Sequence, residues 1–253
     1  MSKILILAES SFGKSSSIGP ISREDFERAG FPDTEIRGVN PKETFIVSVS
    51  NKGLPIPRWK TFYKTCDLDK APTIENGNHA ISNNGKVVTD LIGYVNRQRP
   101  DIKNIILDDA NYLMQDQYMS KVWAGYDIFK ILGAMMGGIF NEMERISGVN
   151  KNFIMMAHHE EFKNSNFDTL SYRFKTVGKM VQDYITPEGK FEIVLFGRQT
   201  IIDDGKGSKR IAKQFVTNFD GQYPAKSPIG MFPSLYIPND LGYVIDCVNE
   251  YNG

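Results

Sequence analysis

Cysteine and histidine are scarce in this chain, and neither sign of charge is in excess. The two cysteines, Cys66 and Cys247, lie far apart, with no His or Cys partner at metal-ligand spacing. Neither a disulfide framework nor a zinc module is indicated, and a reducing, cytoplasmic setting is expected. The 30 Lys and Arg are balanced by 30 Asp and Glu, unlike proteins that coat nucleic acid through bulk phosphate neutralisation. Any such affinity must come from a local patch. Residues 173–213 hold nine Lys or Arg against five acids, a pattern that the solvated face of a hairpin explains equally well. Long apolar runs are missing too. The longest, residues 128–139, carries Lys130 and three glycines and falls short of the roughly 18 apolar residues a membrane span requires. The apolar run near the start is of strand length and reads as a strand rather than a secretion signal.

What is present is material for a core. With 16 Phe, 11 Tyr and many aliphatic residues, the chain can bury one globular domain spanning residues 1–253. KILILA (3–8) is a continuous apolar run, and NIILDD (104–109) and NFIMMAHH (152–159) are two more that end in polar residues. That is the pattern of strands buried on both faces of a parallel sheet. TFIVSVS (44–50) is a fourth β-rich run. Val88, Leu91, Ile92 and Val95 fall at helical spacing within 86–98, ahead of the stop at Pro100. Residues 119–147 are periodic as a helix, with a kink point at Gly137-Gly138, and 177–185 read as a short helix. Residues 64–85 read as a long irregular excursion, and 160–172 as a polar, Asn-rich loop. Residues 190–203 and 209–218 flank Asp204-Gly205-Lys206-Gly207 as a hairpin, and Asn239-Asp240 can cap a last helix ending near Tyr251. The expected fold is α/β, with a mostly parallel central sheet flanked by helices and an antiparallel hairpin near the C-terminal edge.

One segment carries specific chemistry. Ala8-Glu9-Ser10-Ser11-Phe12-Gly13-Lys14-Ser15 fits the phosphate-loop pattern, with Ala in place of the first Gly. In that pattern Gly13 permits close backbone approach, so that the N–H groups from Ser10 to Ser16 can face phosphate oxygens. Lys14 brings a positive charge to the β and γ phosphates, and the Ser15 hydroxyl can ligate Mg²⁺. A helix starting there would add its own partial charge. A buried strand directly before the motif is the context it requires; a plain Ser/Gly-rich turn is the alternative.

Asp108, ending its strand, matches the acid that holds Mg²⁺ in such sites. Asp109 can orient or deprotonate an attacking water, or be structural, and Glu9 is its rival for the water. His158 and His159 end the next strand; His158 can sense a terminal phosphate, or be a satisfied strand-end group. A metal site from His158, His159, Glu160 and Glu161 is disfavoured, because neighbours in a strand point to opposite faces. ATP or ADP with Mg²⁺ are the expected cofactors.

The chain resembles the phage-encoded RecA-like ATPases of single-strand annealing and recombination, P-loop proteins often described simply as AAA-domain or ATP-binding proteins. The resemblance lies in ESSFGKSSS, ILDDANYLM and MMAHHEE, and continues through FKTVGKMVQDYITPEGKFEIVLFGR, AKSPIGMFP and IPNDLGYVI, over nearly the full length. It implies a RecA-like core, ATP contacts by Gly13, Lys14 and Ser15, and Mg²⁺ and water roles for Asp108 and Asp109. It further implies a ring or filament of identical subunits in the host-cell cytoplasm, single-stranded DNA as partner, and a phage single-strand binding protein as an additional one. Arg173, Lys175, Lys179 and Lys226 are candidates for a basic residue completing a neighbour's site, though each can be an ordinary surface charge; Lys175 and Lys179 share a face if their segment is helical. For DNA, loops 66–84 and 160–172 are candidates. In the second, Phe162, Phe167 and Tyr172 interleave with Lys163 and Arg173, as base-stacking platforms or as anchors to the core. Ala8 and Ser11-Phe12 depart from the family pattern, and Phe12 is expected to narrow the pocket or stack on a neighbour. A helicase-like motor or loader, a small-molecule kinase and a nucleotide-binding scaffold are the competing readings.

Overall fold

A computed structural model describes residues 2–29, 34–146, 151–164, 169–203 and 209–253. In chain order its elements are β1 (Lys3–Leu7), α1 (Arg23–Arg28), β2 (Thr44–Ser48), α2 (Trp59–Phe62), α3 (Ala71–Asn76), β3 (His79–Ile81), α4 (Gly85–Gln98) and β4 (Asn104–Asp108). They continue with α5 (Asn111–Ser120), α6 (Asp127–Glu144), β5 (Asn152–Ala157), β6 (His159–Asn164), β7 (Thr169–Phe174) and α7 (Met180–Ile185). The last are β8 (Ile193–Asp203), β9 (Lys209–Val216), β10 (Tyr236–Pro238) and α8 (Leu241–Asn252).

Eight strands form one sheet in the order β10-β9-β8-β1-β5-β4-β2-β3. From β8 to β3 every neighbouring pair is parallel. β9 and β10 extend the sheet antiparallel at one edge. The chain is therefore α/β, with a mostly parallel central sheet, helices on its faces and an antiparallel hairpin, as the apolar runs predict. β1 shows why the runs are continuous: Leu5 and Leu7 enter the core on one face while Ile4 and Ile6 enter the other. The first face is covered by Val88, Leu91, Ile92 and Val95 of α4 and by Ile128, Leu132, Met136 and Ile139 of α6. The second is covered by Leu241, Val244 and Val248 of α8, with Ile18 and Ile21. Among the described residues no helix is long and apolar enough to cross a membrane.

Several local expectations need correction. Residues 64–85 are not irregular throughout, because they hold α3 and the edge strand β3, which takes its register from β2. Residues 160–172 contribute to an antiparallel ladder, β6 with β7, rather than to a loop. The 119–147 helix is interrupted after Ser120, and α6 runs unbroken through Gly137-Gly138. The short helix starts at Met180 rather than 177. After the phosphate-loop motif comes one 3₁₀ turn, Ser15–Ile18, ended at Gly19-Pro20, in place of a long helix. A turn of that length supplies little dipole, so the backbone amides carry most of any anion attraction. The Asp204-Gly205-Lys206-Gly207 turn lies outside the described residues.

α8 is anchored where it crosses the chain near Gly38. The Asp240 carboxylate caps it, accepting from Gly242 N–H at 2.8 Å, and reaches back to Gly38 N–H at 3.0 Å and Arg37 N–H at 2.9 Å. The helix approaches so closely that a Cβ on Gly242 would collide with the Gly38 carbonyl. Gly242→Ala is expected to destabilise the fold by roughly 1–3 kcal/mol, the usual cost of overpacking. An unchanged urea midpoint would contradict the packing described.

Candidate functional site

The carboxyl ends of β1, β5, β4 and β2 face one another, and β5 lies between β1 and β4. β1 runs directly into residues 8–14, where Gly13 takes φ +94°, a conformation that L side chains rarely adopt. The next residue, Lys14, is only 4% exposed. Its ammonium donates to the Ala8 carbonyl at 3.0 Å and the Glu9 carbonyl at 3.1 Å, and lies 3.2 Å from His158 Nδ1. Burial pulls its pKa down to about 8, against the charges of Asp109 and Asp108, which hold it up. Among the described residues, the backbone amides of Gly13, Lys14 and Ser15 meet no backbone acceptor. Consecutive unspent amides beside a buried cation form a cradle suited to an anion.

The opposite wall is the end of β4. Ser15 Oγ donates to Asp108 Oδ1 at 3.0 Å. Burial, and then the neighbouring Asp109, push the Asp108 carboxyl well above its ordinary range. Asp109, also buried, turns the chain with φ +60°. Its Oδ2 pairs with Lys52 Nζ at 2.6 Å and accepts from Ser50 Oγ at 3.3 Å, both from the segment after β2. Its Oδ1 lies 3.8 Å from His158 Nε2. Burial, and then Lys14, lower the His158 pKa, so the ring is neutral near pH 7. Asn111, at the start of α5, locks the strand ends together: its Oδ1 accepts from the His158 N–H, and its Nδ2 donates to the Lys175 carbonyl. Tyr112 packs edge-on against His158 at 5.8 Å. A hydroxyl and a carboxylate are hard oxygen donors that suit Mg²⁺. Among the described residues no cluster of three His, Cys, Asp or Glu could hold a metal, so a cation at Ser15 and Asp108 would need further oxygens from ligand or water.

Of the residues singled out from the sequence, Lys14, Ser15, Asp108, Asp109 and His158 come together here. Glu9, Ser10 and Ser11 are exposed along the loop, and Gly13, Ser15 and Ser16 are half-buried. Of the two alternatives for Phe12, the structure shows stacking: its ring is buried against Phe215, with centroids 5.7 Å apart, so it faces away from the loop's open side and only its backbone contributes there. Of its two alternatives, Tyr172 takes that of an anchor to the core: it is buried, stacked on Tyr223 at 4.7 Å, and its hydroxyl donates to Glu161 and accepts from Gln222. Phe162 lies under the Arg173 guanidinium at 4.9 Å, and Arg173 also pairs with Glu160 at 2.9 Å. Lys163 is exposed beside them, while Phe167 falls outside the described residues. Lys175 and Lys179 do not share a helical face, since one follows β7 and the other precedes α7. Both are exposed, as is Lys226.

Sequence reasoning missed Lys52, Asn111, Lys213 and Asn239. Asn111 stands inside the ILDDANYLM block and Asn239 inside IPNDLGYVI, but neither block states which carbonyl its asparagine will meet. Compared with protein-family models and with curated proteins, the chain matches none.

Asp108 gives a pH-dependent prediction for the ligand-free protein. Its folded pKa is raised, so the folded state binds its proton more tightly than the unfolded state does. Stability from this group therefore falls as pH rises from the ordinary carboxylate range, about 4, toward neutrality. Asp108→Asn cannot titrate and is expected to be more stable than the wild type at pH 7, with the difference shrinking at pH 4. Urea midpoints at the two pH values measure this. A variant less stable than wild type at pH 7 would contradict it.

Proposed function

We propose that the chain is a Mg²⁺-dependent ATPase with a RecA-like core, acting on single-stranded DNA in phage recombination or annealing. The observation that carries the reading is the 3.0 Å contact of Ser15 with Asp108 beside the buried ammonium of Lys14. It joins the loop hydroxyl to a strand-end acid across an intervening strand. Ligands of open α/β sheets bind at the carboxyl ends of strands, and this is such an edge.

Each residue has a role in that reading. The amides of Gly13, Lys14 and Ser15 receive the phosphate tail, and the Lys14 ammonium exchanges its strand-end carbonyls for phosphate oxygens. Ser15 and Asp108 would hold Mg²⁺, which when bound offsets the charge of the transferred phosphoryl group. His158 Nδ1 lies 3.2 Å from both the Lys14 ammonium and the Ala8 carbonyl; in the tautomer that accepts from Lys14, the ring proton is on Nε2, 3.8 Å from Asp109 Oδ1. Asp109 is fixed by Lys52 and Ser50, and with His158 it can orient an attacking water. Glu9 remains on the solvent side of the loop as the alternative base.

The DNA partner is supported by position. β6 begins one residue after His158, so a shift at the site reaches the β6–β7 hairpin, where Phe162, Arg173 and Lys163 combine a ring with cations. Lys175, Lys179 and Lys226 are exposed and suited to completing a neighbouring subunit's site in a ring or filament, whereas Arg173 is engaged within its own hairpin.

ATP hydrolysis with and without single-stranded DNA tests the reading. Wild type should turn over ATP faster with DNA, and Lys14→Ala should turn over none; undiminished hydrolysis in Lys14→Ala would reject the site. Phosphate transfer to a metabolite, with no response to DNA, would establish a kinase instead. Asp109→Asn should keep nucleotide affinity yet hydrolyse about 100-fold more slowly, the usual loss on removing a general base. An unchanged rate would move the role to Glu9.

A further inference from the structure

The loop of residues 8–15 is held from outside by two side chains of the antiparallel edge. Lys213 of β9 donates from Nζ to the Ser11 carbonyl at 3.1 Å. Asn239, between β10 and α8, donates from Nδ2 to the Gly13 carbonyl at 3.1 Å. Both nitrogens stand 3.6 Å from the point where a Cβ on Gly13 would project. The Phe12 ring brings the loop within their reach by packing on Phe215, and it fits only because Gly197 of β8 has no Cβ, which would stand 2.7 Å from that ring.

These bonds govern direction as well as distance. A trans peptide is planar, so its carbonyl and the following N–H point opposite ways. Drawing the Ser11 and Gly13 carbonyls toward β9 and Asn239 turns the amides of Phe12 and Lys14 away from that edge. The Lys14 amide meets no backbone acceptor among the described residues, and the Phe12 amide makes only a long bond to the Glu9 carbonyl at 3.3 Å. Asn239 bears a cost in this arrangement. It is 8% exposed, and its Oδ1 is buried with no hydrogen-bond partner among the described residues. A stranded buried acceptor calls for an explanation, and holding Nδ2 against the loop supplies one.

We propose that Lys213 and Asn239 are positioning residues that fix the peptide planes of the loop, so that the antiparallel edge sets the loop's affinity for a nucleotide's phosphates. The proposal rests on the reading of the loop as a phosphate site. The two residues act through the Ser11 and Gly13 carbonyls, not by touching phosphate. A cation acting directly on phosphate would favour ATP over ADP, whereas a residue that orders the amides serves both alike.

The test combines backbone NMR order parameters of the ligand-free protein with equilibrium titrations of ATP and ADP. It compares wild type, Lys213→Met, Lys213→Arg, Asn239→Ala and Lys14→Ala. In Lys213→Met and Asn239→Ala, the backbone order parameters of residues 12–15 should fall, and affinity for both nucleotides should fall by the same factor. That factor is about fivefold, the value of one net hydrogen bond. Lys213→Arg, which keeps a cationic donor, should remain close to wild type in both measurements. Unchanged order parameters at 12–15, or a loss in Lys213→Met that is larger for ATP than for ADP, overturns the positioning role. Wild-type protein that binds neither nucleotide, or Lys14→Ala that binds both normally, overturns the phosphate reading itself. Nucleotide binding that needs Lys14 but survives both edge substitutions overturns only the present assignment.

Discussion

A lysine ammonium taken out of water at the end of a parallel sheet constrains everything around it. An unpaired buried charge is costly, so Lys14 persists only because strand-end groups surround it. The carbonyls of Ala8 and Glu9 follow β1, His158 follows β5, and the charges of Asp108 and Asp109 come from the end of β4. Lys52 and Ser50 extend the network to the end of β2. Four strands thus deliver polar groups to one edge, while their apolar bodies are buried on both faces. Two ammonium groups, Lys14 and Lys52, face two carboxylates, Asp108 and Asp109, within this network.

The edge also lies between two other units. On one side the antiparallel strands β9 and β10 grip the loop through Phe215, Lys213 and Asn239. On the other, the β6–β7 hairpin leaves the sheet at His159, its base packed by Tyr172, Tyr223 and Phe196. A ligand that draws Lys14 away from His158 would alter contacts to both units. In the proposed function this joins nucleotide state to the DNA-facing hairpin without any long-range path.

How legible this was in the sequence depended on how local the deciding interaction is. The strands β1, β4 and β5 were readable because burial on both faces writes one apolar run, and the acid or histidine after such a run must lie at the sheet edge. Lys14 and Ser15 were readable because spacing within a single loop defines them. β3 was not, since three residues in a polar stretch become a strand only by pairing with β2. Whether Phe12 narrows the pocket or stacks on a neighbour was not readable, because its burial depends on Phe215 and on a missing Cβ at Gly197. Lys213 and Asn239 meet the loop across 202 and 226 residues of chain, and no local pattern records such a contact.

The central claim is that residues 13–15 receive phosphate while Ser15 and Asp108 hold its divalent ion. A crystal structure with Mg²⁺ and a non-hydrolysable ATP analogue tests it most directly. The account predicts phosphate oxygens within hydrogen-bonding distance of the amides of Gly13, Lys14 and Ser15, with Lys14 turned from the Ala8 carbonyl and the cation beside Ser15. An analogue seated elsewhere, with Lys14 still bound to Ala8 and Glu9 and the loop unvisited, would contradict it.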